Sequence, residues 1–290
     1  MENKKIIHKF TNNNSNYYTS HKNSTNKEHS YILAFEGRFF TDNNSLKLLY
    51  FSWQQLNKQL KKEAKIFLGE NDEKLFFIYN IKSKEHLPAE SGGTFSDLRF
   101  MAANLTIDEA HMTAKAAALI NWHKINNFCI KCGSETRQNN DGNIRQCNNK
   151  ICSYQIFPRL DPAIIVLVTF QDKCLLGRQK KWPDNQFSTI AGFVEPAESL
   201  ENAVAREVFE ETNIMISKIK YHSSQPWPFP SSLMLGFNAT ATTKEIKLND
   251  NELEQAAWFS KEDLLSGVCK LPPPLSISRA LINDWINKAK

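Results

Sequence analysis

The stretch Gly192 to Ile214, GFVEPAESLENAVAREVFEETNI, constrains this chain more than any other. Residues three and four apart on a helix are neighbours, so Glu207, Glu210 and Glu211 gather on adjoining faces just past a glycine turn. Clustered carboxylates repel one another unless cations share the site. An all-oxygen donor set suits hard divalent ions such as Mg²⁺ or Mn²⁺. Such ions suit phosphate chemistry, because they bridge and neutralise phosphoryl oxygens.

The same segment reads as an amphipathic helix, with Leu200, Val204 and Val208 directed at a core. The two readings are compatible: an apolar stripe seats the helix while the carboxylates face a site. Arg206 has two readings of its own, a clamp on Glu198 or one of the three clustered glutamates, or a contact to phosphate. The clamp is favoured, because guanidinium and carboxylate form strong bidentate pairs. Asn213 falls where the helix should end, and asparagine is the residue after glycine best suited to a left-handed turn there.

A length of 290 residues suggests about two domains, and 41% hydrophobic residues can build their cores. Six cysteines in so long a chain do not make a disulfide-rich scaffold. Of the net charge of +5, residues 1–30 supply +3, with five Lys against two Glu. This stretch is polar and reads as a disordered leader. It has no apolar run of a secretory signal, and no run in the chain is long enough to span a membrane. A basic, acid-poor leader leaves a mitochondrial presequence open. Lys-Ala-Lys at the end is not an address of the S-K-L type. Cytoplasm is the default expectation. The residual +2 does not mark the body of the chain as a nucleic-acid binder. Arg178, Lys180 and Lys181 read as a solvated face before they read as a phosphate or RNA contact.

Cys129 and Cys132 are followed by Cys147 after fourteen residues and by Cys152 after four more, with turn signals at Gly133 and Asn139–Asn143. Two close cysteine pairs joined by a hairpin are the pattern of a tetrahedral zinc ribbon. Four thiolates leave no open position, so the zinc is expected to be structural. Cys174 and Cys269 read as ordinary buried thiols.

Strand-like runs occur at Tyr31–Phe35, Leu46–Phe51, Ile66–Leu68 and Leu75–Tyr79, and helical periodicity covers residues 107–126. His111 and His123 lie on this helix with no paired metal spacing. After the ribbon, Ala163–Thr169 reads as a buried central strand, Cys174–Arg178 and Leu233–Ala241 as further strands, and Ser276–Lys288 as a final helix. The alternation implies a sheet between helices. The expected divisions are a leader over 1–30, a small mixed domain over 31–125, the ribbon over 126–157 and a catalytic domain over 158–290.

Just past the box lies Ser224-Gln225-Pro226-Trp227-Pro228-Phe229-Pro230-Ser231-Ser232. Alternating prolines stiffen the backbone and hold Trp227 and Phe229 as an aromatic edge. That edge either stacks on a nicotinamide or adenine ring or packs into the core.

In spacing, Gly192-x5-Glu198-x7-Arg206-Glu207-Val208-x-Glu210-Glu211 resembles the Nudix box. With the four cysteines before it and S-Q-P-W-P-F-P-x-S after it, the chain over roughly 31–290 resembles the NADH pyrophosphatase group of Nudix hydrolases. The resemblance implies an α+β (α/β) fold: an αβα sandwich with a mixed sheet, preceded by a zinc ribbon and a Nudix-like N-terminal domain. It implies hydrolysis of the pyrophosphate of NADH or NAD⁺ to nicotinamide mononucleotide and AMP, and in some members removal of NAD caps from RNA. It assigns metal to Glu207, Glu210, Glu211, Glu252 and the Ala191 carbonyl, and a base or metal role to Glu211. Phe193 and Trp227 resemble the aromatics that sandwich the nicotinamide, and Gln225 through Ser232 the substrate loop. A homodimer is implied. Three positions depart: Asn213 replaces the second box glycine, Phe157 a substrate-side tyrosine, and Ser278 a small apolar residue near the substrate. Rival expectations are another Nudix substrate, such as ADP-ribose or a diadenosine polyphosphate, and an inactive RNA-binding scaffold.

Overall fold

The computed structural model describes residues 27–88, 91–249 and 252–288. They fall into two units: Leu160–Trp227 with the described residues from Ser232 onward, and an N-terminal unit reaching Arg159 that also takes in Pro228–Ser231. No helix among the described residues is long and apolar enough to cross a membrane.

The N-terminal unit is built on β1 (Glu28–Phe35), β2 (Arg38–Thr41), β3 (Ile66–Glu70), β4 (Lys74–Asn80) and β5 (Thr94–Ser96), in the order β3-β4-β1-β2-β5. The β1–β4 pair is parallel and its neighbours are antiparallel, so the sheet is mixed. Aromatic side chains fill one core: Tyr31, Phe40, Phe51, Phe67, Phe77 and Tyr79 are buried together. A short helix α1 (Leu98–Met101) leads to α2 (Ile107–Ile125). The capping box that starts α2 is reciprocal: Thr106 accepts from the Glu109 amide and Glu109 from the Thr106 amide.

Two expectations change here. The leader was expected through residue 30, but β1 begins at Glu28, because Glu28–Ser30 pair in parallel with Lys74–Phe76; residues 1–26 lie outside the described residues. Leu46–Phe51 forms no strand, only isolated bridges from Leu48 to Thr41 and Phe51 to Tyr31. Its apolar side chains serve the core without a ladder.

The ribbon is a three-stranded sheet of β6 (Thr136–Asn139), β7 (Ile144–Cys147) and β8 (Gln155–Ile156). Buried Arg145 ties it to α2. Its guanidinium donates to the Thr136 hydroxyl and carbonyl and to His123 Nδ1 at 3.0 Å, while His123 Nε2 donates to the Gly142 carbonyl at 2.8 Å. Burial, with Arg145 beside it, pushes His123 down to about 4, so the ring is neutral and both nitrogens are used. His123 is thus a structural bridge between elements.

The second unit holds a six-stranded mixed sheet, β12 (Ile216–Trp227), β13 (Ser232–Ala241), β9 (Asp161–Phe170), β10 (Lys173–Arg178) and β14 (Gln255–Ser260) in that order, with β11 (Ile190–Phe193) also on β9. Only β9–β13 is parallel. Alternation along β9 feeds two cores. Ile164, Val166 and Val168 pack with Ala203, Val204 and Val208 of α3 (Leu200–Thr212). Ile165 and Leu167 pack with Leu264 of α4 (Lys261–Ser266) and with Ile277, Leu281 and Ile282 of α5 (Ile277–Asn287). A strand buried on both faces reads as a continuous apolar run, and the helix–sheet–helix sandwich follows from it.

Candidate active site on the box helix

β11 delivers the chain to the site, and α3 carries the carboxylates. The Ser199 side chain caps α3 by accepting from the Asn202 amide, and Asn213 closes it at φ 59°, in the left-handed region. The substitution of asparagine for glycine therefore preserves the turn.

Arg206 is the hub. Its Nε and Nη2 donate to the two oxygens of Glu198, both at 2.9 Å. Its Nη1 reaches Glu207 at 2.9 Å and Glu210 at 3.0 Å, and Nη2 also donates to the Phe193 carbonyl at 2.9 Å. One guanidinium thus fixes two box glutamates, Glu198 and the end of β11. Hydrogen bonds from Arg206 hold the Glu198 carboxyl below the ordinary carboxylate range.

Gly192 lies directly against Glu207, and a Cβ there would overlap that carboxylate. The glycine leaves room for that carboxylate where Arg206 holds it, and its φ is not in the left-handed region. Glu207 sits in a partly buried pocket. Burial raises its pKa, Arg206 opposes the rise, and the charges of Glu210 and Glu252 add to it. That coupling brings Glu252 into electrostatic reach of the box, across the 45 positions between residues 207 and 252.

Glu211 is 3% exposed. It follows Val204 and Val208 on the buried face of α3, one turn from Glu207. A charge this buried needs strong compensation. By chemistry the donor set suits a hard divalent cation: oxygen-only carboxylates on one helix, with the charge of Glu252 felt at Glu207. Ala191 stands in β11 opposite Ile165, one residue before Gly192.

The remaining expected positions divide. Phe193 is 60% exposed and Phe157 55% exposed, so both rings are available to a ligand. Trp227 is half-buried at the end of β12, paired with Ser232. Half of the proline-rich segment is strand rather than loop: Gln225, Pro226 and Trp227 pair with Met234, Leu233 and Ser232. Proline lacks a donor, but β12 is an edge strand, where Pro226 is tolerated. The hairpin tip is Pro228-Phe229-Pro230-Ser231, and the Arg99 guanidinium lies 4.3 Å from the Phe229 ring centroid.

Two expected substrate contacts are engaged inside the fold. Gln225 is fully buried. Its amide donates to the Leu275 carbonyl, and its carbonyl accepts from the Ile277 amide, both at 2.8 Å. Ser278, also buried, meets the hydroxyls of Ser188 at 2.9 Å and Thr189 at 2.8 Å and accepts from the Thr189 amide. Both residues fasten the start of α5, Ser278 to the approach to β11. Ser188, Thr189 and the Leu275–Ile277 backbone had no sequence signal, because these bonds join segments 50 to 90 residues apart. Arg178 pairs with Glu254, which makes it an internal strut.

The four cysteines converge. Their Sγ atoms all lie within 4.8 Å of one another, with Cys129–Cys152 at 3.9 Å and Cys132–Cys147 at 3.5 Å. These separations exclude disulfides. Hydrogen bonds from Ser134 bring Cys132 down to about 6, while burial pushes Cys147 up to about 12. By geometry and donor type the cluster could hold a metal ion.

Comparison with known proteins matches both units to families. Residues 159–284 match the NUDIX domain, and residues 27–122 the NADH pyrophosphatase-like rudimentary NUDIX domain. Nudix hydrolase 19, chloroplastic, of Arabidopsis thaliana is 32% identical over 79% of this chain and 66% of its own length. The human NAD-capped RNA hydrolase NUDT12 is 40% identical over 61% of this chain and 42% of its own length. The human NAD(P)H pyrophosphatase NUDT13, mitochondrial, is 35% identical over 72% of this chain and 65% of its own length. The chain thus spans less than two thirds of each of these relatives. Members of this family need a divalent metal. A NUDIX domain that carries the box helix, with an NADH pyrophosphatase-like domain and four cysteines clustered within metal-binding distance, shows that the chain belongs to the Nudix hydrolase family.

Proposed function

We propose that this chain hydrolyses the pyrophosphate of NADH and NAD⁺ to nicotinamide mononucleotide and AMP, and that it also removes NAD caps from RNA 5′ ends. The observation that carries the proposal is the box geometry: Arg206 fixes Glu207 and Glu210 beside buried Glu211, with Glu252 in electrostatic reach. Relatives named for NAD-capped RNA and for NAD(P)H support the substrate. Glu207, Glu210, Glu211, Glu252 and the Ala191 carbonyl are the proposed holders of Mg²⁺ or Mn²⁺. When bound, the ion supplies charge that offsets the pyrophosphate oxygens. A box glutamate, Glu211 first, accepts the proton of the attacking water as the bridging P–O bond breaks. Exposed Phe193 and half-buried Trp227 are the proposed faces for the nicotinamide. Pro226 and Pro228 to Ser232 shape the hairpin end, while Gln225 and Ser278 act as positioning residues through α5.

Zinc is the proposed occupant of Cys129, Cys132, Cys147 and Cys152, in a structural role. A homodimer and a cytoplasmic location belong to the same proposal. Light scattering tests the first, and a fluorescent fusion tests the second against the organelles named for two relatives. The deciding experiment compares NADH, ADP-ribose and NAD-capped RNA as substrates for wild type and Glu211→Gln. Metal-dependent release of AMP from NADH, lost by at least about 100-fold in the variant, is expected. No release from either NAD substrate sinks the enzyme reading, and a preference for ADP-ribose sinks the substrate.

A further inference from the structure

The N-terminal unit contains an open cavity of about 1290 Å³. That exceeds the roughly 300–1,000 Å³ of small-molecule pockets. Lys62, Lys82 and Lys124 are among the residues that line it, from three separate segments of the fold. All three are exposed and stand outside every ion pair found among the described residues. The acids of the same wall are partly committed: Glu63 faces His86 at 2.9 Å, and Asp97 accepts the Arg99 amide at 2.8 Å. Glu36 is the remaining wall acid, exposed at the β1–β2 turn. Arg145 is spent on Thr136 and His123.

Two further features accompany the cations. Phe35 and Phe229 offer ring surface to the cavity, with the Arg99 guanidinium over the Phe229 ring. Asn80 and Asn121 supply neutral amides, which both donate and accept. A compact anion needs convergent donors. Cations spread over the lining of an oversized cavity, interleaved with rings and amides, match a chain of phosphates joined through stackable bases.

We infer that this cavity is a groove for single-stranded RNA, gripping the body of a capped transcript through Lys62, Lys82 and Lys124. The inference rests on the proposed activity toward NAD-capped RNA and goes beyond it by assigning the polynucleotide to residues outside the box. It also accounts for recognition in a chain of modest net charge, since three local cations suffice where the global +5 does not.

The test uses the full chain with Lys62, Lys82 and Lys124 all changed to Glu, and separately all to Gln. Kinetics are read on NADH and on NAD-capped RNA, and binding on a short 5′-monophosphorylated single-stranded RNA. Both variants should leave kcat and KM for NADH unchanged. KM for capped RNA should rise about tenfold or more in the Glu variant, and the salt dependence of RNA binding should flatten by about 2 in logarithmic slope, the share of three single-strand phosphate contacts. Unchanged RNA binding in both variants overturns the groove, as does binding of an acidic peptide in place of RNA. If wild type cleaves neither NAD substrate, the catalytic reading fails, while the binding assay still decides the groove. A Glu variant that does not fold is replaced by the Gln variant, for which the same loss of binding is required.

Discussion

Gly192 shows how a single absent side chain sets the site. Any Cβ at this position overlaps the Glu207 carboxylate, so the residue that looks like the start of a turn is a space requirement of the helix opposite. Gly192→Ala is expected to displace Glu207 and lower kcat/KM for NADH by about 100-fold, the cost of a catalytic group misplaced by about 1 Å. Steady-state kinetics check this, together with thermal melting to confirm that the sandwich persists. Activity within a factor of two of wild type would refute the packing argument. Arg206 is legible in the same way only in part. Its pairing with carboxylates follows from the i, i+4 relation to Glu210, but its bond to the Phe193 carbonyl joins two elements that the sequence does not place together.

Among the elements, α3 was the easiest to read and β12 the hardest. The apolar stripe of α3, its cap at Ser199 and its end at Asn213 are all local signals. Asn213 at φ 59° is tolerated rather than ideal. Asn213→Gly is therefore expected to stabilise the protein by about 0.5–1 kcal/mol and Asn213→Ala to destabilise it by about 1 kcal/mol, since a left-handed backbone costs about 1–2 kcal/mol for an ordinary residue. Urea unfolding monitors both. Equal midpoints for the three proteins would show that the turn is not under this strain. In β12, by contrast, Pro226 and a run of polar residues conceal a twelve-residue edge strand. The edge position permits Pro226, and being an edge is a property of the sheet. Leu46–Phe51 is the converse case: strand-like in composition, it forms bridges without a ladder.

At the level of the whole molecule, the ribbon depends on more than its own strands. Its three strands have four, four and two residues, too little to be stable alone. Cysteine geometry and the Arg145–His123 bridge supply the rest. Stripping the metal with a chelator should raise hydrogen exchange across Thr136–Cys147 and lower the melting temperature of the N-terminal unit, with β9 and β13 still protected. Metal analysis should find one zinc per chain. Identical exchange with and without chelator would remove the structural role.

What the sequence determined by itself is local and periodic: the box helix with its carboxylates and stop, the buried central strand, the capped helix α2 and the cysteine spacing. Each follows from contacts within a few residues or from a repeat that solvent exposure imposes. What only the tertiary structure decided is long-range. Gln225 is spent on the backbone at 275–277, Ser278 on the approach to β11, and Lys62, Lys82 and Lys124 share one cavity although they are far apart in the chain. A side chain's partner across 50 or more residues depends on how the sheets close, and no spacing rule in the sequence encodes that closure.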